Sequence, residues 1–453
     1  MTIDAQATFK AINVMKSNFA FAGLRRAPSF LVTRYHVSLL RLVVAFLFGF
    51  CVQFNILLGG GGEGASATGG YGYRLSDFVC LGATGLLGFY SLAPRRILPL
   101  ILYGLIIGAL YVAPSLSPDP RTAILAYHYI LYSFAALYIV VILDDNRILE
   151  TFCWGLIIGL LATVPIFVIQ DSAYSSKLIE WGFAPGYAQV LASNEVGFLR
   201  YPGLSGHPNE AGHVAALAAA AGAYFGIVKR RILPVVLVSA ALLVIFYYTR
   251  SRGGLVAGGA ILIIPFLVTR GRISFLRFAV MPAVLVITLI VLSQFDFIAS
   301  RFGDDPNVTN NISDRLDSFL SGLQVMLINP FGMPIGEFIS YVAAGSGGVG
   351  SPHNGFIMLG GVFGLLLLCT FVVACVVNFR VRTDEDIFFA LLTLQVTISL
   401  LFEQLPVSYS YALAVCLIGA RAFIRTPVGR AFAFHSVTDR VKFGLARNAR
   451  VRA

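Results

Sequence analysis

Apolar runs of about twenty residues recur along the whole chain, separated by short charged turns, and few folds can absorb such a pattern. Crossing the hydrocarbon of a bilayer takes roughly 17–25 mostly apolar residues in one helix. Twelve segments meet that requirement: about 38–58, 75–93, 97–114, 123–143, 151–169, 211–228, 232–249, 253–269, 276–295, 355–378, 387–403 and 408–424. In lipid these segments must be helices, because an unpaired backbone group has no water to bond. Composition agrees. Of 453 residues, 57% are hydrophobic and 12% charged, against about 25% charged in a soluble domain. The expected fold is an all-α integral membrane protein of about 12 transmembrane helices. Residues 1–37 form an N-terminal segment, 38–424 a polytopic membrane domain, and 425–453 a basic tail. We find no internal repeat and no separate soluble domain.

Orientation follows from Lys and Arg, which are retained on the cytoplasmic side. The N-terminal end carries Lys10, Lys16, Arg25, Arg26, Arg34 and Arg41, and the tail Arg425, Arg430, Arg440, Lys442, Arg447, Arg450 and Arg452. Alternate connections are basic too: Arg95-Arg96, Arg147, Lys229-Arg230-Arg231, Arg270 with Arg272, and Arg380 with Arg382. Twelve spans place 25 of the 33 basic residues inside and 8 outside, with both termini cytoplasmic. An odd number would split the two basic ends between faces. Topology thus accounts for the net charge of +11, and no nucleic-acid partner is expected. No cleavable signal peptide is evident, because the first apolar run is long enough to span. The six cysteines fall inside apolar runs without metal-type spacing and read as buried thiols.

Two long loops, about 170–210 and 296–354, then face outward with the turn Thr249-Arg250-Ser251-Arg252-Gly253-Gly254. Loops of this length are usually functional or disordered. The second is expected to hold a helix capped by Ser313, with Leu316, Phe319, Leu320 and Leu323 at helical spacing, ending at Asn329-Pro330-Phe331-Gly332.

Arginines on the outer side run against the topological bias. Arg250 and Arg252 either reach the lipid interface or form an anion site, since a guanidinium stays charged and grips phosphate oxygens with a planar fork. The stretch Arg200-Tyr201-Pro202-Gly203-Leu204-Ser205-Gly206-His207-Pro208-Asn209 precedes a helix, whose free N–H groups favour anions. It reads equally as an ordinary turn with Asn209 as N-cap. His353, in Ser351-Pro352-His353-Asn354, is either a satisfied polar group or an imidazole able to take a proton near neutral pH. His128 and Asp77 either line a cavity or serve helix packing. His213 reads as structural or as a support behind the site, and Glu403 as an interface residue. Carboxylate-rich metal motifs, a phosphate-binding glycine loop before lysine, and a serine-nucleophile elbow are absent from the sequence.

The stretches Arg200…Gly203…His207-Pro208-Asn209, Ser251-Arg252-Gly253-Gly254, Asp314-Arg315 to Asn329-Pro330-Phe331-Gly332, and Pro352-His353-Asn354-Gly355 resemble the bacterial O-antigen ligase and polysaccharide polymerase superfamily. The likeness covers roughly 195–375 in motifs and the whole chain in layout. It rests on the order and shared outer location of the motifs. Gly332-Met333-Pro334-Ile335-Gly336 departs from the tighter glycine pair of many relatives.

The resemblance implies glycosyl transfer at the periplasmic face of the bacterial inner membrane. The donor would be a glycan on undecaprenyl pyrophosphate, and the acceptor a growing glycan or lipid A–core. No cofactor and no metal are implied. His353, Arg252 and Arg200 would be catalytic. Arg250, Tyr201, His207, Asn209, Arg315 and Asn354 would bind pyrophosphate or glycan. A chain-length regulator or other polysaccharide assembly protein would be a partner. Within the family, a polymerase is favoured over a ligase. Outside it, a twelve-span solute transporter and a noncatalytic scaffold are the competing classes.

Overall fold

The computed structural model describes residues 27–56, 74–172, 174, 191–192, 199–205, 207–268, 306–346, 352, 354–403 and 408–433. The chain is mostly helical. The first half contains α1 (Ala27–Gln53), α2 (Leu75–Ser91), α3 (Pro94–Ser115), α4 (Pro120–Ile142) and α5 (Asn146–Gln170). A two-residue antiparallel pair follows, β1 (Leu191–Ala192) and β2 (Leu199–Arg200). Next come α6 (Pro208–Ala216), α7 (Ala218–Ile227), α8 (Ile232–Thr249) and α9 (Arg252–Val268). The remainder is α10 (Pro306–Ile328), α11 (Ile335–Gly345), α12 (Gly355–Phe363), α13 (Leu365–Asn378), α14 (Asp384–Phe402), α15 (Tyr409–Ile424) and α16 (Pro427–Ala433).

Among the described residues, α4, α5, α8 and α14 are long and apolar enough to cross a membrane, and several shorter apolar helices accompany them. Leu98, Leu105, Val236, Val373 and Val376 are all more than half exposed. A water-soluble surface rarely carries so many large apolar side chains, whereas a lipid-facing one does. The structure is that of a helical membrane protein. The expected segment 276–295 lies outside the described residues.

Lipid supplies little drive for helix association, so close packing of small residues matters. The α1–α5 crossing shows this. A Cβ on Gly155 would sit 2.3 Å from the Phe46 carbonyl oxygen, and one on Gly49 would sit 2.4 Å from that of Phe152. A buried polar cluster joins α2 to α4. His128 Nε2 lies 3.3 Å from Asp77 Oδ1, and the Tyr132 hydroxyl donates to the same carboxylate at 2.8 Å. His128 and Asp77 thus meet in a helix–helix contact.

Three sequence expectations change, and one structural detail is added. Ser313 is not a cap, because α10 begins earlier, at Pro306. The run 355–378 is broken into α12 and α13 at Gly364, whose φ of +92° few side chains tolerate. There the Leu365 N–H bonds to the Pro330 carbonyl at 2.8 Å. The basic tail starts with an ordered turn of helix, in which Phe432 is buried against Tyr90. All six cysteines are free, but Cys369 is exposed rather than buried.

The divergent Gly332–Gly336 stretch has a defined anchorage. Met333 N–H bonds to the Gly361 carbonyl at 3.0 Å. Ile335 N–H bonds to the Thr122 hydroxyl at 2.8 Å. The start of α11 is thereby fixed to the start of α4.

Candidate functional site

The end of the first long loop is pinned between two helix ends. Gly203, at φ +61°, lies against the Phe167 ring. The Gln170 amide clamps it twice, donating to its carbonyl at 2.9 Å and accepting from its N–H at 3.0 Å. Tyr201 N–H bonds to the Tyr248 carbonyl at 3.1 Å, and the Tyr201 hydroxyl donates to Asp171. Arg200 is therefore delivered to the C-terminus of α8. Its Nε donates to the Thr249 carbonyl at 2.9 Å, and an Nη donates to Asn209 Oδ1.

Asn209 is not the N-cap of α6. Pro208 occupies the first helical position, which makes His207 the cap, its Nδ1 accepting from Asn209 N–H at 3.2 Å. This leaves the Asn209 side chain free to bridge. Its oxygen faces Arg200, and its Nδ2 donates to Glu403 Oε2 at 3.0 Å. Glu403 is 7% exposed. It joins the site through Asn209, a role its sequence position at the end of an apolar run does not reveal.

The Thr249–Gly254 turn packs onto α6. Arg250 caps α8 in the left-handed region, φ +52°. The Ser251 hydroxyl donates to the Asn209 carbonyl at 3.3 Å and accepts from Gly254 N–H at 3.2 Å. Arg252 opens α9 with its side chain exposed. The approach is tight: a Cβ on Gly254 would lie 2.6 Å from the Gly212 carbonyl carbon. His213 is buried behind this turn, with Nδ1 3.0 Å from the Ser399 hydroxyl.

The second long loop returns to the same place. Asn354 caps α12, its Oδ1 accepting from Phe356 and Ile357 N–H groups at 3.0 and 3.1 Å. A Cβ on Gly355 would stand 3.1 Å from the Glu403 carbonyl oxygen. Glu403 therefore lies between Asn209 and the start of α12. His353 is outside the described residues, as is the Arg315 side chain on α10.

One end of the bundle thus gathers Arg200, Tyr201, His207, Asn209, Arg250, Arg252 and Asn354. Asn209 and Asn354 hold structural bonds in it, and Glu403, Thr249, Ser251 and Gln170 complete it. Chemically, it is one guanidinium, that of Arg200, oriented by the Thr249 carbonyl and by an Asn209 amide that Glu403 holds, beside a turn carrying Arg250 and Arg252; guanidiniums so gathered are suited to holding an anion. In comparison with known proteins, no protein-family model and no curated protein matches the chain.

Proposed function

We propose that this chain is a glycosyltransferase of the bacterial inner membrane. It would act at the periplasmic face, transferring a glycan from undecaprenyl pyrophosphate to a glycan acceptor, as a polymerase of surface polysaccharide. Twelve spans with cytoplasmic termini belong to this reading. The observation that carries it is the tie between Arg200, Asn209 and the Thr249–Arg252 turn. Three arginines from two separate stretches are brought to one end of the bundle.

The chemistry asks for such an arrangement. An acceptor hydroxyl attacks the anomeric carbon, and the bond from that carbon to the diphosphate oxygen breaks. The lipid diphosphate leaves with the electron pair. Its charge grows as the bond breaks, so fixed cations beside it stabilise the transition state more than the ground state. Arg200 and Arg252 take this role, with Arg250 beside them. His353 orients the acceptor hydroxyl or accepts its proton. A single displacement inverts the anomeric centre. Purified protein with defined lipid-linked repeat units should yield longer lipid-linked glycans. A lipid A–core product would assign a ligase instead, and solute flux without any glycan product would reject the enzyme.

A further inference from the structure

At the other end of the molecule the structure holds a second cationic site. Helix α14 has 19 residues, about 28 Å at 1.5 Å per residue. Its last residue adjoins Glu403 and Asn209, while its first turn opens on a cleft of about 500 Å³. That volume falls in the usual range for small-molecule sites, roughly 300–1,000 Å³. Because α14 is one of the helices able to span a membrane, the two sites face opposite sides of it.

The cleft is lined by Arg380, Arg382, Arg421, Arg425 and Arg430. Three acids also line it: Asp144, Glu385 and Asp386. Five arginines against three carboxylates leave an excess of two positive charges. The acids are not evenly available. Asp386 already takes Arg421 at 2.8 Å and Arg425 as well. It also accepts the N–H groups of Arg382 and Thr383, at 2.8 and 3.0 Å. Glu385 takes Arg421 at 2.6 Å. Arg425 Nη1 donates to the carbonyls of Val377 and Arg380, at 2.7 and 2.8 Å. These bonds build a rigid wall.

Arg380, Arg382 and Arg430 remain exposed. Among the described residues, none of the three guanidiniums has a hydrogen bond or ion pair. Retention of basic residues on one face explains their sign. It does not explain why three unpaired forks share one concavity in which Arg421 and Arg425 already hold the buried acids Glu385 and Asp386 and Asp144 alone stays exposed.

We propose that this cleft binds a phosphorylated anion, gripped by Arg380, Arg382 and Arg430. A phosphate group on a soluble molecule and the headgroup of an anionic lipid offer the same oxygens. The site is separate from glycosyl transfer and does not depend on that reading.

Two measurements on the full-length protein separate the sources. In discs of phosphatidylcholine alone, inorganic pyrophosphate is titrated by calorimetry into protein carrying Arg200→Gln/Arg252→Gln, so that the arginines at the opposite end do not contribute. In parallel, phosphatidylglycerol and cardiolipin retained after delipidation are counted by native mass spectrometry. The variant Arg380→Gln/Arg382→Gln/Arg430→Gln is compared with Arg147→Gln/Arg230→Gln/Arg231→Gln, which removes equal charge at the same end. The cleft variant should bind pyrophosphate about tenfold more weakly, or lose a retained anionic lipid, while the control variant keeps either. Loss in the first arm assigns a soluble ligand, and loss in the second a lipid. Binding in neither arm overturns the proposal, as does an equal loss in both variants or undiminished binding in the cleft variant. If the triple variant misfolds, the three single substitutions are read by the same criteria.

Discussion

Asn209 donates a 3.0 Å hydrogen bond to the carboxylate of Glu403, which lies 194 positions further along the chain. The oxygen of the same amide accepts from Arg200. An amide held at both ends cannot flip, so through Asn209 the Glu403 carboxylate helps to set the orientation of the Arg200 guanidinium. Asn209→Ala and Glu403→Ala are expected to lower kcat for glycan transfer by about 10- to 100-fold, the worth of a hydrogen bond to a charged group. Glu403→Gln keeps an acceptor for the amide and should lose less. Adding either substitution to Arg200→Ala should cost little more, because the residues act as one unit. Full additivity would show that Asn209 and Glu403 act on something else.

Under the proposed glycosyl transfer, Arg252 offers the cleanest test of charge beside the leaving group, because its side chain is exposed at the start of α9. Arg252→Ala should leave the protein in the membrane and cost about 100-fold or more in turnover, as for loss of one preorganised donor to developing charge. Arg252→Lys should rescue only in part, since an ammonium cannot present a planar fork. Arg200→Ala should behave alike, with some added loss of stability from the broken bond to Thr249. His353→Ala should remove product as well. Normal product lengths from any of these variants would strip that residue of its role.

Much of this was legible in the residues themselves, and the exceptions share a cause. Helices α4, α5, α8 and α14 announce themselves because apolar runs of that length have few other fates in lipid. Arg200 and the Thr249–Gly254 turn, both picked out in the sequence as junctions between loop and helix, meet through the Arg200 bond to the Thr249 carbonyl. The alternative with Asn209 as cap fails because cap preference is a local average, while Pro208 fixes the first helical position and hands the cap to His207. The break at Gly364 was hidden because no polar residue interrupts the run. It depends on Pro330, which comes from a distant loop. Glu403 had no local signal, since its partner Asn209 belongs to another helix.

Packing of the arginine turn onto α6 predicts a contrast between two glycines of α9. A Cβ on Gly254 would strike backbone atoms of Gly212 and His213 at 2.6–3.0 Å, which cannot swing aside as a side chain would. Gly254→Ala should lower stability by about 1–3 kcal/mol, as overpacking does, and reduce transfer by lifting Ser251 and Arg252 off α6. Gly259, one turn further into the same helix, has nothing within 4 Å of its missing Cβ. Gly259→Ala should be neutral or gain up to about 1 kcal/mol from helix propensity. Thermal midpoints of the purified variants check both, and equal behaviour would contradict the packing.

Asp119 predicts a dependence on pH. It caps α4, accepting from Arg121 N–H at 3.1 Å and from the Thr122 hydroxyl at 2.7 Å. Partial burial opposes its ionisation. Hydrogen bonds from the Thr122 hydroxyl and from the N–H groups of Arg121, Gly336 and Thr122 outweigh that, and hold its carboxyl below the usual aspartate range. Through Gly336 it also steadies the start of α11. Because the folded carboxyl ionises at lower pH than the unfolded one, its stabilisation is complete above about pH 4. It fades as pH falls through the folded value. Asp119→Ala should therefore cost about 1 kcal/mol near neutral pH, the usual loss for an N-cap. The gap in thermal midpoint between wild type and variant should narrow steadily in acid. A gap that stays constant from pH 7 to pH 3 would show that the charge of Asp119 contributes nothing at this junction.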